Sequence, residues 1–323
     1  MYRSLLVPLD GSSFAEQALP LAVELCARSG AELHLVLVHD SLAAVPGYGE
    51  PALLDESVDL ASRRQEEEYL DAVARPLLGT GVVVVTRLID GPVAHSLVGY
   101  VRNAGIELVV LTTHGRGVFS RFWIGSVADR LVRQLEVPML VLRPHAARGA
   151  PAASMLRRVV VPLDGSPLAE SVLEPAMRFG QLLGAEFTLF RAVVVPPPVQ
   201  LPYPAVMIMP EQTPVTSVLE QESTRYLEDV ARPLRARGVR VETTVEVTTD
   251  TVAAISTWAE RHGADLIALA THGYGGATRF LLGSVADKLL RSATVPLFVW
   301  RPGAAVERAM ADSSRKGSLA TAP

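Results

Sequence analysis

Two long blocks of this sequence recur half a chain later, and a repeat of that length fixes the plan before any element is assigned. Laid over Arg157 to Glu174, the segment Arg3 to Pro20 matches at 10 of 18 positions, and both contain Val-Pro-Leu-Asp-Gly-Ser (Val7 to Ser12; Val161 to Ser166). Laid over Thr271 to Pro302, Thr113 to Pro144 matches at 18 of 32. The register moves from 154 to 158 residues between these blocks, so the second copy carries a net four-residue insertion in its middle. Solenoid units recur every ~20 to 50 residues, so a period this long denotes duplicated domains. With 323 residues and 49% hydrophobic content, each copy can bury its own core.

Within a copy, apolar runs alternate with stretches of helical periodicity. In the first, Ser4 to Leu9, Glu32 to His39, Val82 to Leu88, Glu107 to Thr112 and Pro138 to Arg143 read as strands. Phe14 to Ala27, Asp55 to Leu78, Val93 to Asn103 and Ser126 to Gln134 read as helices. The second copy repeats the order: strands Arg158 to Leu163, Glu186 to Val195, Arg240 to Val247, Asp265 to Ala270 and Pro296 to Arg301, with helices Leu168 to Leu183, Val218 to Arg237, Val252 to Arg261 and Ser284 to Ser292. Val/Leu strands that are apolar on both faces and alternate with helices imply an α/β fold, here two doubly wound five-stranded parallel sheets of order 3-2-1-4-5, Rossmann-like and in tandem. The expected boundaries are a first domain at 1–144, a linker at 145–156, a second domain at 157–302 and a disordered tail at 303–323. Pro196 to Pro214 carries seven prolines among apolar residues. It reads either as a flap or partner surface, or as a proline-stiffened loop on the sheet edge.

Charge narrows the function classes. Thirty basic against 34 acidic residues give −4, which supplies no basic excess for a long phosphate backbone, so nucleic acid is not an expected partner. Met1-Tyr2-Arg3 runs straight into a strand, and no apolar run reaches the ~18 residues of a membrane span, so neither leader nor membrane anchor is expected and the cytoplasm is the expected compartment. The single cysteine, Cys26, lies on the apolar side of a helix and reads as a buried, inert thiol.

The polar signals cluster where strands end. Gly115 and Gly125 are separated by nine intervening residues, and Ser126 follows at a helix start. Glycines let backbone approach a ligand closely, and the first helical turn offers unpaired N–H groups at the positive end of its dipole. Ser126 acts there as N-cap or turns its hydroxyl to a phosphate oxygen, and the Val127 amide is a free donor. The first strand ends Pro8-Leu9-Asp10, and in this strand order its carboxyl end lies beside that of the fourth, at the topological switch point. Asp10 there accepts from a base or a ribose, or forms an Asx turn opening the next helix. Asp164, Gly273, Gly283, Ser284 and Val285 repeat the constellation. His114 and His272 have no second ligand at metal spacing. Arg121 and Arg279 stand in both copies, whereas Arg116 is replaced by Tyr274. His95, Asp90 and Asp250 carry no motif.

At these residues the chain resembles the universal stress protein family, in particular members that fuse two such domains, and the resemblance spans nearly all of residues 1–302. The family's nucleotide motif is Gly, two residues, Gly, nine residues, Gly, then Ser or Thr. Its second and third glycines correspond to Gly115 and Gly125 with Ser126, and to Gly273 and Gly283 with Ser284. In ATP-binding members the first-strand Asp, the residues before it and the end of the second strand approach the adenosine. The resemblance carries these to Pro8, Leu9, Asp10 and Val38, and to Pro162, Leu163, Asp164 and Ala192. The first glycine is replaced by Thr112 in one copy and Ala270 in the other; Ala270 intrudes less, so the second copy is expected to bind nucleotide at least as well. The resemblance also implies that the fifth strands pair across a pseudo-twofold axis, so that the two halves self-associate.

No Gly-x-x-x-x-Gly-Lys-Ser/Thr is present, so the lysine and Mg²⁺-holding hydroxyl of a P-loop are missing, and no Gly-x-Ser-x-Gly elbow appears. The expectation is therefore a stress-response protein that binds ATP, with or without Mg²⁺, at about micromolar affinity (~−8 kcal/mol). Its role would be regulatory, through a protein partner. The alternatives are a nucleotide-free scaffold or a slow ATP hydrolase of the same fold.

Overall fold

The computed structural model describes residues 1–40, 56–113, 125–143, 153–195, 214–271 and 282–303. They fall into two compact units, one of Met1–Met155 with Pro296–Gly303, the other containing Leu156–Val295.

In the first unit, β1 (Ser4–Leu9) pairs in parallel with β2 (Glu32–His39) and with β4 (Leu108–Thr112). Leu5, Leu6 and Val7 are fully buried, because a central strand covered by helices on both faces admits no polar alternation. Beyond β2 lies β3 (Val84–Asp90), half-buried along its length, and beyond β4 lies β5 (Met139–Leu142). The order β3-β2-β1-β4-β5 reverses direction at β1 and β4. A further strand, Leu297–Trp300, runs antiparallel to β5 with Leu297 opposite Val141 and Val299 opposite Met139. The sheet of this unit thus gains a sixth strand from the end of the sequence.

The helix expected over Phe14 to Ala27 is broken into α1 (Ser13–Glu16) and α2 (Leu19–Ser29). Pro20 falls in the first turn of α2, where a missing N–H is tolerated. α3 (Glu56–Ala74) gives way to a 3-10 turn, Arg75–Gly79, where Pro76 again lacks the donor. α4 (Val93–Asn103) packs on α5 (Ser126–Gln134), whereas Tyr69 of α3 donates to Glu16 of α1 at 3.0 Å. The stretch expected as a featureless linker ends in a 3-10 turn, Ala153–Met155. Ala153, fully buried, donates its N–H to Glu24 of α2 at 2.7 Å.

The second unit repeats this in parallel strands of order β9-β6-β7-β8, comprising β6 (Arg158–Pro162), β7 (Glu186–Val194), β8 (Val241–Thr248) and β9 (Leu266–Ala270). Its first helix is likewise split, into α6 (Pro167–Glu170) and α7 (Leu173–Leu183). α8 (Pro214–Ala236) holds Pro233 inside it, and α9 (Thr251–Arg261) and α10 (Ser284–Ser292) complete the set. One packing exchange separates the copies. On α7, Gly180 lies against Phe187, and a Cβ on it would stand 2.8 Å from the ring's Cε2. The aligned positions of the first copy hold Cys26 and Leu33, both buried. A larger residue on the helix there accompanies a smaller one on the strand, which keeps the summed volume close to constant. Burial pushes the Cys26 thiol up to about 12, so it stays protonated and unreactive at neutral pH.

Candidate functional site

The carboxyl ends of β1 and β4 form one wall of the first site. Carrying the register of Leu5 with Leu108 forward sets Leu9 level with Thr112, and Asp10 follows Leu9 out of the strand. Pro8 and Asp10 are half-buried and Leu9 is buried. Val38, also buried, is the penultimate residue of neighbouring β2, whose Leu37 pairs with Leu9. The second copy reproduces the set: Leu163 donates to Phe190 O at 2.8 Å, Asp164 leaves the end of β6 exposed, and Ala192 stands near the end of β7. The register of Val159 with Leu266 sets Leu163 level with Ala270.

Both aspartates turn back on the chain. Asp10 Oδ1 accepts from the Ser12 N–H at 2.9 Å and the Ser12 hydroxyl at 2.6 Å, and Ser12 Oγ in turn caps α1 by accepting from Ala15 N–H at 3.2 Å. Asp164, Ser166 and Ala169 repeat this at 2.9, 2.6 and 3.0 Å. The Asx-turn alternative therefore holds for Oδ1 of each. It fixes the carboxylate at the mouth of the strand end.

The other wall is the start of α5. The Gly125 N–H donates to Thr113 O at 2.7 Å, and the Gly283 N–H donates to Thr271 O at the same distance. A Cβ on Gly125 would meet that Thr113 carbonyl at 3.0 Å, so the glycine is required by close backbone approach. Gly125 and Gly283 are themselves the N-caps of α5 and α10 and, being glycines, bring no capping side chain. Ser126 and Ser284 are thus the first helical residues, not caps, and both are exposed; Val127 and Val285 are half-buried. Asp129 and Asp287 sit in the first turns and pair with Arg133 and Arg291 one turn on. Gly115 and Gly273 lie outside the described residues. So do His114, His272, Arg116, Tyr274, Arg121, Arg279, residues 196–213 and the tail beyond 303.

Sequence reasoning missed two polar clusters beside these walls. The first is at the end of β2. His39 is 3% exposed, with Nδ1 2.7 Å from Glu66 Oε2 and Nε2 2.9 Å from Asp59 Oδ1, both on α3. A carboxylate against each ring nitrogen favours the protonated ring, which alone can donate from both. Those bonds, the one to Asp59 foremost, raise its pKa above the ordinary histidine value. Arg63 bridges Asp59 to Asp90 at the end of β3, so Asp90 is not the isolated residue that the sequence suggests. Asp250 is likewise engaged, capping α9 through Val252 N–H at 2.9 Å and Ala253 N–H at 3.2 Å. The available signal was the spacing of Asp59, Arg63 and Glu66, which puts three charges on one helix stripe.

The second cluster belongs to the second copy. The Tyr226 hydroxyl donates to Glu170 at 2.8 Å, as Tyr69 does to Glu16, but the Arg191 guanidinium also lies over the Tyr226 ring, 4.7 Å from its centre. Burial, reinforced by Glu170, raises the Tyr226 pKa far beyond neutrality, so it remains a donor. Among the described residues no group of three or more His, Cys, Asp or Glu is arranged to hold a metal ion, and no helix is long and apolar enough to cross a membrane.

Known proteins resemble this chain along its whole folded length. A universal stress protein of Methanocaldococcus jannaschii is 26% identical over 145 residues, 44% of this chain and 83% of that one. A universal stress protein of Mycobacterium tuberculosis is 30% identical over 195 residues, 60% of this chain and 62% of that one. One from Mycolicibacterium smegmatis is 25% identical across 92% of this chain and 97% of its own. Among solved structures, a universal stress protein from Archaeoglobus fulgidus superposes with a TM-score of 0.67 at 21% identity, covering 93% of this chain and 98% of that one, which establishes the fold. The universal stress protein family matches twice, over residues 1–143 and again over 155–301, and the chain belongs to that family as a tandem pair of its domains.

Proposed function

We propose that the chain is a cytoplasmic, regulatory nucleotide-binding protein of the stress response. Each copy would hold an adenine nucleotide, ATP foremost, between the Asp10 or Asp164 strand end and the glycine-started helix. The observation that carries this is the glycine N-cap of α5 and α10. Each helix opens on a glycine whose N–H is bonded back to the threonine after the preceding strand, and this N-cap residue has no side chain to occupy the first-turn amides. Placed beside the switch-point strand ends, those amides and the helix dipole suit a phosphate. Pro8, Leu9 and Val38, with Pro162, Leu163 and Ala192, would line the adenosine side. Any Mg²⁺ would enter on the phosphates, since the described residues offer no cluster of ligands for it. The fold supplies binding groups rather than a catalyst, so hydrolysis would be slow, and the output is a ligand-dependent surface for a protein partner. The antiparallel register of Leu297–Trp300 on β5 supports self-association of the halves through their fifth strands.

One observation favours the scaffold alternative: Asp10 and Asp164 already spend Oδ1 on local turns. Mass spectrometry of nucleotide released from freshly purified protein, with calorimetric titration of ATP, separates the two. Bound adenine nucleotide and a stoichiometry near two are expected. Absence of both release and binding at millimolar ATP would sink the nucleotide reading.

A further inference from the structure

Strand β7 reads Glu-Phe-Thr-Leu-Phe-Arg-Ala-Val-Val, and Arg191 interrupts its apolar run where β2 of the first copy has Leu37, 4% exposed. Six other arginines of this unit, Arg158 and Arg291 among them, are paired with carboxylates. Arg191 is half-buried, and among the described residues it has the Tyr226 ring as its partner but neither a hydrogen bond nor an ion pair. Two acids at this end of the unit are engaged locally, Glu170 by the Tyr226 hydroxyl and Asp164 Oδ1 by Ser166. A guanidinium laid on an aromatic face keeps its in-plane N–H fork for a second partner, and it cannot shed its proton to avoid needing one.

Its location says what that partner would belong to. Arg191 Nη1 stands 2.7 Å from where a Cβ on Gly165 would be, and Gly165, at φ +85°, is the residue that follows Asp164 out of β6. The absence of a side chain there leaves room for the guanidinium over the turn, at the strand end that carries Asp164. A cation therefore stands at the second crevice where the first presents leucine.

We propose that Arg191 is a ligand contact peculiar to the second copy, its guanidinium donating in bidentate fashion to two phosphate oxygens of the bound nucleotide. This rests on the nucleotide reading above. It makes the two crevices unequal through one strand position, Arg191 against Leu37, beside a turn glycine that both copies share.

The test is calorimetric titration of the full chain with ATP, GTP and adenosine, for the unmodified protein and for Arg191→Leu and Arg191→Lys, with melting temperatures recorded alongside. Arg191→Leu should weaken one of two sites about tenfold or more, leave the other unchanged, and be partly restored by lysine, which keeps the charge but not the fork. If phosphate is the partner, ATP binding falls and adenosine binding does not. A fall in GTP binding with ATP binding unchanged would overturn the phosphate contact in favour of a base-edge one. Unchanged affinities for all three ligands with a lowered melting temperature would make Arg191 a packing residue and overturn the inference, while the nucleotide reading stands. Failure of the unmodified protein to bind any of the three overturns both. Should the leucine variant not fold, Arg191→Gln and Arg191→Lys decide by the same titrations.

Discussion

Among the described residues the two copies repeat the same aspartate turn and the same glycine-to-threonine bond at the helix start, and they differ in how they secure the helix that follows the second strand. In the first, α3 is held to the ends of β2 and β3 by the buried His39 imidazolium between Asp59 and Glu66, with Arg63 reaching Asp90. In the second, Val193 takes the histidine's place, and on the offset set by Tyr69 and Tyr226 the two acids become Thr216 and Ser223. There the far end of the helix is secured instead. Glu228 accepts from Arg235 at 2.6 Å and from the Thr243 hydroxyl at 2.6 Å, and Arg235 Nε donates to Val241 O at 2.8 Å. This last turn is locked, so α8 continues past Pro233 where α3 breaks before Pro76. Duplication kept the Asp-Gly-Ser turn and the glycine-started helix in both copies and let the attachment of the neighbouring helix drift.

The largest expected effect tests the packing exchange. Gly180→Cys, which gives the second copy the helix residue of the first, should destabilise it by about 3 kcal/mol, because the new side chain enters the Phe187 ring. Adding Phe187→Leu should recover most of that loss in denaturant unfolding, and additive losses in the double variant would refute the compensation.

Next comes the crevice itself. Gly125→Val and Gly283→Val push a branched side chain toward the threonine carbonyl and the phosphate-side amides, and each should remove about one equivalent of bound ATP. If the smaller Ala270 makes the second site the stronger, Gly283→Val should cost more total affinity. Equal losses would remove that asymmetry.

The helix attachments should separate by pH. The His39 pKa is raised in the folded protein, so its stabilisation is complete below the unfolded value of about 6.5 and is lost as pH rises through the folded value. Partial solvent screening of both acids limits this to about 1 kcal/mol, ~2–4 °C in melting temperature. His39→Val, matching Val193, should abolish that alkaline loss. An unaltered pH profile would show that the cluster holds α3 without titrating. The smallest effect lies at Glu228, whose pKa is lowered to about 2 by Arg235 and Thr243. A depressed carboxylate stabilises above its unfolded value of about 4.3 and loses that contribution as pH falls toward 2. Glu228→Gln should therefore flatten the acid limb alone, by a few tenths of a kcal/mol at neutral pH for so exposed a pair.

Much of this architecture could be read in the letters. Buried parallel strands write themselves as Val/Leu runs, so Ser4–Leu9 and Glu32–His39 agree with expectation to the residue. The helix interruption after Glu16 did not follow from periodicity, because the apolar stripe continues across it; the same break recurs after Glu170, where Glu174 stands in place of Pro20. The Asp10 and Asp164 turns were legible as alternatives, since a side chain that can bond its own backbone two residues on announces itself in Asp-Gly-Ser. His39 was not, because its two acids come from a helix 20 and 27 residues later, and only the crossover brings that helix over the end of β2. Arg191 left a plain trace, a single charge inside an apolar strand, but its Tyr226 partner and the space above Gly165 are facts of the fold.

The Gly180 and Phe187 exchange also bears on how the repeat persists. Two related segments in one gene invite recombination, which would make the copies alike. A crossover between positions 26 and 33, or between 180 and 187, joins cysteine to phenylalanine in one product and glycine to leucine in the other, the first overfull and the second hollow. The interior thereby acts as a lock on the pairing of segments, under which the two halves are inherited as a matched set and their surfaces are free to specialise.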